Sequence, residues 1–187
     1  MSKQGTFSAT ETPEEGRVGA VGGCNCGAVR YLLTAPPLTC YICHCHLCQK
    51  RTGSAFSLSI VVPADGLAIT QGELRTGERP TGSGRVNRSH ACDKCNSRIY
   101  TQADGARTLN LRAGTLDDAS WIRPVAQFWT SSAQPWAVQP GILTYDGQAD
   151  DHAKLLAAWE LVASSASARM PAWPRPAPNN RRKERHG

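Results

Sequence analysis

Two short cysteine pairs, far apart in the sequence, decide the fold: Cys24-Asn25-Cys26-Gly27 and Cys92-Asp93-Lys94-Cys95-Asn96. Two cysteines separated by one or two residues can bind one metal ion through a tight turn, and a tetrahedral thiolate site then needs a second pair. The position after each pair often requires a positive φ angle, which Gly27 provides and Asn96 tolerates. We predict that the four cysteines bind one structural zinc ion, which fastens the first strand to a late hairpin. Four buried free thiols are the alternative.

A second cluster, with the sequence CYICHCHLC over residues 40–48, permits more than one set of ligands. One set uses all four thiolates, Cys40 included, and closes the site. The other uses Cys43, Cys45 and Cys48 and leaves a fourth position open, as catalytic zinc sites do. If residues 38–43 form a strand, Cys40 and Cys43 lie on opposite faces of it, which favours the three-thiolate set. Because a thiol is a soft ligand suited to such a site, we expect a substrate that carries sulfur.

Polar residues near these clusters allow a structural and a functional interpretation. We expect His44 and His46 to point away from the metal, exposed to solvent or outside the ligand set, although either could close the site or carry a proton. His90 is expected to be a strand residue rather than a ligand. The adjacent acids Asp117 and Asp118 are expected to order a turn rather than to act as an acid–base pair.

The remaining sequence predicts short strands and one late helix. Residues 56–62 alternate apolar and small polar side chains, which is typical of a strand. Further strand candidates are 28–33, 38–43, 68–71, 85–90, 98–100 and 108–113, whereas Gly22 and Gly23 are expected in a turn. Residues 151–163 predict a helix with the apolar stripe Leu155, Leu156, Trp159 and Val162. The fold class is therefore mostly β, with short strands and one C-terminal helix.

Length and charge indicate one domain with two tails. The chain has 187 residues, and we divide it into a flexible leader (1–20), one zinc-stapled domain (21–165) and a disordered, basic, Pro/Arg-rich tail (166–187). Of the net charge of +6, the segment 169–187 carries +5 and residues 1–18 carry −1, which leaves +2 for the body. Nucleic-acid binding is therefore not expected, except weakly through the tail.

The sequence also predicts where the protein works. It has no apolar run long enough to span a membrane and no apolar segment of a secretory signal near residue 1, so we expect it in the cytoplasm. Thiols stay reduced in that compartment, and the eight cysteines are then metal ligands or reactive thiols rather than disulfides. The sequence does not predict an oligomeric state.

Together these motifs resemble the glutathione-dependent formaldehyde-activating (GFA) family, which includes the centromere-protein-V group. The resemblance covers about residues 22–147. It rests on GCNCGAVRY (23–31), CHCHLCQKRTGSAF (43–56), CDKC (92–95), AGTLDD (113–118) and the stretch through Trp129 and Trp136. It implies a β-tent fold with two zinc ions. By position, Cys24, Cys26, Cys92 and Cys95 would hold the structural ion, and Cys43, Cys45 and Cys48 the catalytic one.

The resemblance also implies an activity, that of a carbon–sulfur lyase that interconverts S-(hydroxymethyl)glutathione with glutathione and formaldehyde. A loop with Arg51, Gly53, Ser54 and Phe56 would then form a substrate pocket beside the second zinc. Two other functions fit the same residues. In one, both metals are structural and the basic tail recruits a partner. In the other, the cluster 43–48 releases zinc on oxidation and the protein is a thiol redox sensor.

Overall fold

The described residues form eleven short strands and two α-helices. A computed structural model describes residues 19–80, 85–165 and 170–173. Its strands are β1 (Ala20–Gly23), β2 (Arg30–Leu33), β3 (Thr39–Cys43), β4 (Ser57–Pro63), β5 (Leu67–Gln71), β6 (Leu74–Pro80), β7 (Val86–Cys92), β8 (Arg98–Ala103), β9 (Thr108–Arg112), β10 (Ala126–Phe128) and β11 (Leu143–Tyr145). Its helices are α1 (His46–Thr52) and α2 (His152–Ser165). The predicted fold class, mostly β with short strands and a C-terminal helix, is confirmed.

The strands form two sheets. Three strands pair antiparallel in the order β1-β2-β5. Eight strands form the larger sheet in the order β11-β10-β3-β4-β9-β8-β7-β6. Its pairs are antiparallel, except that β10 runs parallel to both β3 and β11. The chain therefore brings β10 back beside β3 across a long sequence separation, and this places the middle cysteine cluster within the larger sheet.

Several elements differ from the sequence prediction. Gly22 and Gly23 lie in β1 rather than in a turn, and a Cβ at Gly22 would collide with the ring of Tyr31 and the carbonyl of Thr115. Helix α1 was not predicted, because it has seven residues and buries none of them, so that it shows no apolar stripe. Strand β6 was not predicted either, because its sequence LRTGERP lacks apolar alternation.

Over the middle of the larger sheet one face is apolar and the other is mainly polar, whereas at the β10–β11 end a second apolar cluster packs beside Tyr41 on that second face. Cys40, Ile60 and Leu111 are paired neighbours on β3, β4 and β9, are all fully buried, and belong to the main core. On the opposite face, Tyr41 pairs with Ser59, and Ser59 pairs with Arg112. Since successive residues of a strand point to opposite sides, the same register that buries the core lines up polar side chains on the other face.

A β-bulge changes which face β8 presents. His90 of β7 pairs with Tyr100, but the next residue, Ala91, pairs with Arg98, and this leaves Ile99 as an extra residue in β8. Ile99 is fully buried in the core. Arg98 consequently lies in register with Ala91 on the polar face, whereas strict alternation would place it on the same face as Tyr100.

Helix α2 docks on the sheet through two residues of its predicted stripe. Leu155 and Trp159 are buried, and the Trp159 Nε1–H group donates to the carbonyl of Pro37 at 2.8 Å. Leu156, also predicted to be buried, is 43% exposed, because it lies about 100° around the helix from Leu155. Asp151 caps the helix by accepting a hydrogen bond from the backbone N–H of Lys154.

Replacing Trp159 with alanine is expected to lower the free energy of unfolding by about 3–5 kcal/mol, because it leaves a cavity and an unpaired Pro37 carbonyl. The matched control is Leu161→Ala on the same helix, where the side chain is 73% exposed and the change should cost less than about 1 kcal/mol. Urea unfolding of both variants measures the difference. Equal losses would mean that α2 does not dock through Trp159.

The predicted tails lie mostly outside the described residues, namely 1–18, 166–169 and 174–187. Residues 170–173 differ from the disordered tail that was expected there. Met170 and Trp173 pack against the main core, and Trp173 meets Trp121 edge to face at 6.3 Å. Their apolar side chains explain the docking. Nowhere in the described part of the chain is a helix both long and apolar enough to cross a membrane.

Candidate metal centres

The first group joins the two cysteine pairs. The sulfur atoms of Cys24, Cys26, Cys92 and Cys95 all lie within 4.8 Å of one another. The Cys26 sulfur lies 3.5 Å from that of Cys24 and 3.9 Å from that of Cys92. A tetrahedral zinc site with Zn–S bonds of about 2.3 Å has sulfur–sulfur distances of about 3.8 Å. The four thiols therefore have the spacing that a zinc ion requires.

The turns of this group have the predicted backbone. Gly27 has a φ angle of 74° and Asn96 one of 61°, which confirms the left-handed conformation expected after each pair. The backbone N–H of Val29 donates to the Cys24 sulfur at 3.2 Å. A hydrogen bond with Ser97 lowers the pKa of Cys95 to about 5. Both interactions favour thiolates, the form that binds metal.

The second group lies where β3 meets α1. Cys43 ends β3, Cys45 precedes α1, and Cys48 lies in the first turns of that helix. Their three sulfur atoms lie within 4.8 Å of one another, and the described residues supply no fourth cysteine, histidine or carboxylate to the group. The Gln49 amide holds the helix in place by donating to the carbonyls of His44, at 2.6 Å, and Ser132, at 2.8 Å.

Cys40 is not a member of this group. It lies on the apolar face of β3, is fully buried in the main core, and has its pKa raised to about 12 by that burial. The alternation along β3 thus separates it from Cys43, as the sequence argument anticipated. None of the eight cysteines forms a disulfide.

Charges around the second group favour thiolate at Cys48. A hydrogen bond with Cys43 is the main cause that lowers the pKa of Cys48, and the positive charge of Arg112 contributes. The same hydrogen bond, together with burial, raises the pKa of Cys43. Ser57, which pairs with Cys43 across β3 and β4, also lies near enough to lower the Cys48 pKa.

Buried polar atoms without partners concentrate here. His44 Nδ1, Arg112 Nε and Ser57 Oγ are inaccessible to solvent and make no hydrogen bond of normal geometry. Such atoms are rare in folded proteins and mark places where a group is missing or chemistry occurs. His44, for which solvent exposure was one expectation, is fully buried, and its Nε2 lies 3.3 Å from the amide oxygen of Gln127. His46 is exposed at the start of α1.

The predicted pocket loop follows α1 directly. Arg51 is half-buried, Gly53 ends the helix with a φ angle of 63°, and Ser54 is exposed. Phe56 is half-buried with its ring edge to face against His44 at 5.6 Å. Thr52 fixes this turn, because its hydroxyl donates to the carbonyl of Phe56 at 3.1 Å. The loop therefore lies beside the second group.

A cavity on the polar face adds residues that the sequence analysis missed. It has a volume of about 240 Å³. Its lining residues are Arg51, Arg75, Gly77, Ser89, Ala91, Asn96 and Arg98. Arg75 and Gly77 are two residues apart, so they would lie on one face of a strand. The sequence does not identify that strand, β6, because it shows no apolar alternation. Arg98 depends on the bulge at Ile99, which has no sequence signal here.

The other polar candidates have structural roles. His90 stacks on Tyr100 at 4.2 Å and belongs to β7. Asp117 forms an ion pair with Arg30, and Asp118 accepts a hydrogen bond from the backbone N–H of Ser120 at 2.8 Å. These contacts order the turn, as the sequence predicted.

These features define the class: a mostly β protein with two cysteine groups, each of which could hold a metal ion. The family model described as "Glutathione-dependent formaldehyde-activating enzyme" matches residues 20–132, and the chain belongs to this GFA family. Comparison with curated proteins gives no significant match. Among solved structures, the chain is similar to the crystal structure of a Rhodobacter sphaeroides protein, with 16% identity and a TM-score of 0.43. The likeness covers 67% of this chain and 98% of that one.

Proposed function

We propose that the protein is a zinc-dependent carbon–sulfur lyase that acts on a small thiol adduct such as S-(hydroxymethyl)glutathione. The observation that carries the proposal is the second cysteine group, which has three ligand atoms and no fourth among the described residues. Structural zinc sites are closed by four protein ligands, whereas catalytic sites keep one position for substrate. The family's name supplies the substrate class, glutathione and formaldehyde.

In this proposal the two groups have different tasks. Cys24, Cys26, Cys92 and Cys95 hold a structural ion, and Cys43, Cys45 and Cys48 hold the catalytic one. Zinc in the second group would supply an open position for the substrate sulfur and lower the pKa of that thiol. The spacing of the thiols and the unpaired polar atoms around them support this assignment.

The reaction breaks the carbon–sulfur and oxygen–hydrogen bonds of S-(hydroxymethyl)glutathione and needs no redox partner. The carbon–sulfur electron pair leaves with sulfur as a thiolate, the oxygen–hydrogen pair forms the second carbon–oxygen bond of formaldehyde, and the proton passes to solvent. The Arg112 guanidinium favours negative charge near Cys48. The Ser57 hydroxyl lies near Cys48, lowers the pKa of that thiol, and would stabilise negative charge at the group. Phe56, half-buried against His44, limits water at the same place.

We further propose that residues 21–165 are the functional unit, in which Arg51, Gly53, Ser54 and Phe56 form one wall of the substrate pocket. We also propose that the protein works in the cytoplasm, where glutathione and free thiols stay reduced.

The test is the exchange of ¹³C-formaldehyde with glutathione, followed by NMR in the presence of the purified zinc-loaded protein. We expect two zinc ions per chain and faster exchange than without protein, with the acceleration lost after mild chelation that removes one ion. Two inert zinc ions with no acceleration would contradict the proposal and favour two structural sites. Release of one zinc ion by peroxide, again without acceleration, would favour a redox sensor.

A further inference from the structure

The cavity lined by Arg51, Arg75 and Arg98, here called the arginine cavity, lies on the polar face of the sheet. The pairing of β6, β7 and β8 brings Arg75 and Arg98 together there, and α1 adds Arg51. Arg75 and Gly77 of β6 pair with Ala91 and Ser89 of β7, and Ala91 pairs with Arg98 of β8. All five residues therefore share one face and line the cavity. Helix α1 covers one side, where the Arg98 guanidinium donates to the carbonyl of Arg51.

Among the residues that the structure describes, no acid compensates these charges. The lining contains three arginines and no aspartate or glutamate. Within the described residues, none of the three guanidinium groups pairs with a carboxylate. The nearby acid of β6, Glu78, lies on the opposite face and pairs with Arg88. Burial and the neighbouring positive charges of Arg112 and Arg51 lower the pKa of Arg98 to about 10.

The cavity also lies close to the second cysteine group. Arg51 follows Cys48 by three residues in α1, which places both on the same side of the helix. Cys48 is near enough to both arginines that its negative charge partly offsets the lowering of the pKa of Arg51 and of Arg98. A small molecule whose sulfur lies at the cysteine group can therefore extend toward the cavity.

We propose that this cavity binds a carboxylate group of the thiol substrate, so that the protein selects anionic thiols over neutral ones. The inference rests on the proposed function for the position of the sulfur. Arg forms paired, charge-assisted hydrogen bonds with carboxylates, and the cavity offers Arg75 and Arg98 for them. The Ser89 hydroxyl and the Asn96 amide complete its polar lining. The bulge at Ile99 matters because it turns Arg98 toward this face.

The first test measures binding without thiol chemistry. The probe is γ-glutamyl-2-aminobutyryl-glycine, a glutathione analogue that keeps both carboxylates but has no sulfur, titrated into the zinc-loaded protein by calorimetry. We expect Arg98→Gln to raise the Kd about tenfold and exposed Arg75→Gln about threefold or more. Gly77→Val should also weaken binding, since a Cβ there would lie 3.2 Å from Ser89 Oγ and fill the cavity. The control Arg107→Gln, an exposed charge outside the cavity, should leave the Kd within twofold.

The second test separates this inference from the proposed lyase activity. With glutathione, Arg98→Gln and Arg75→Gln should raise KM, whereas with neutral 2-mercaptoethanol they should not. Turnover of both thiols with equal KM in parent and variants would overturn the carboxylate site and leave the lyase proposal intact. Absence of turnover with every thiol, while the sulfur-free probe still binds in an arginine-dependent way, would overturn the lyase proposal and support the cavity. If the probe bound equally to the parent and the variants, or did not bind at all, the proposal that this cavity binds a carboxylate would be wrong.

Discussion

Cys24→Ser and Cys95→Ser are each expected to lower the Tm by more than about 10 °C or to prevent folding. A structural zinc site contributes its binding free energy to folding, on the order of 10 kcal/mol. If the loss of one ligand removes about half of that free energy, the Tm of a chain of this size falls by about 10–20 °C. The two residues lie in different pairs, so each variant tests whether a metal ion joins the turn from β1 to β2 to the turn from β7 to β8.

Calorimetry with zinc analysis measures this effect, and Lys94→Gln is the matched control. Lys94 lies between Cys92 and Cys95 in the same turn and is exposed, so its replacement should leave both the Tm and the zinc content unchanged. If Cys24→Ser and Cys95→Ser melted like the parent protein, the four sulfurs would be free thiols and the structural site would be wrong.

Cys45→Ser is expected to reduce formaldehyde–glutathione exchange at least about 100-fold while the domain stays folded. Changes to residues that only orient metal ligands typically cost 10–100-fold, so the loss of a ligand should cost no less. Cys45 is half-buried just before α1 and contributes no side chain to the main core. The expected zinc content falls from two ions per chain to one.

Cys40→Ala provides the control for this variant. Cys40 lies three residues before Cys43 but points into the core, so its replacement should lower stability modestly while two zinc ions and full activity remain. Exchange that is lost equally in Cys40→Ala and Cys45→Ser would mean that the effect arises from packing. Unchanged exchange in Cys45→Ser would exclude the second group as the site of reaction.

The cysteine groups could be predicted from the sequence because their chemistry is local. A pair such as Cys92 and Cys95 needs a tight turn, and the residues that permit it, Gly27 and Asn96, stand directly after each pair. Alternation along β3 likewise predicts that Cys40 and Cys43 lie on opposite faces of the strand. The fold class followed from short apolar runs separated by glycine and proline.

The arginine cavity could not be predicted in the same way. Arg75 and Arg98 are brought together by the pairing of three strands, and one of these, β6, has no apolar pattern. The face on which Arg98 lies depends on the extra residue Ile99 in β8, and no sequence pattern predicts that bulge. Helix α1 was missed for a related reason. It is held by Gln49 and its turn rather than by an apolar face.

The parallel pairing of β3 with β10 has a consequence for synthesis of the chain. On the ribosome, β4 can pair with one edge of β3 soon after both emerge, but the other edge stays open until residues 126–128 follow. During that interval Tyr41 and Ile42 present an apolar strand with free backbone groups, the kind of edge to which a second nascent chain can add. Slow translation of the residues between β4 and β10 would therefore increase aggregation. A chaperone that binds the nascent chain during this interval would increase the amount of folded protein.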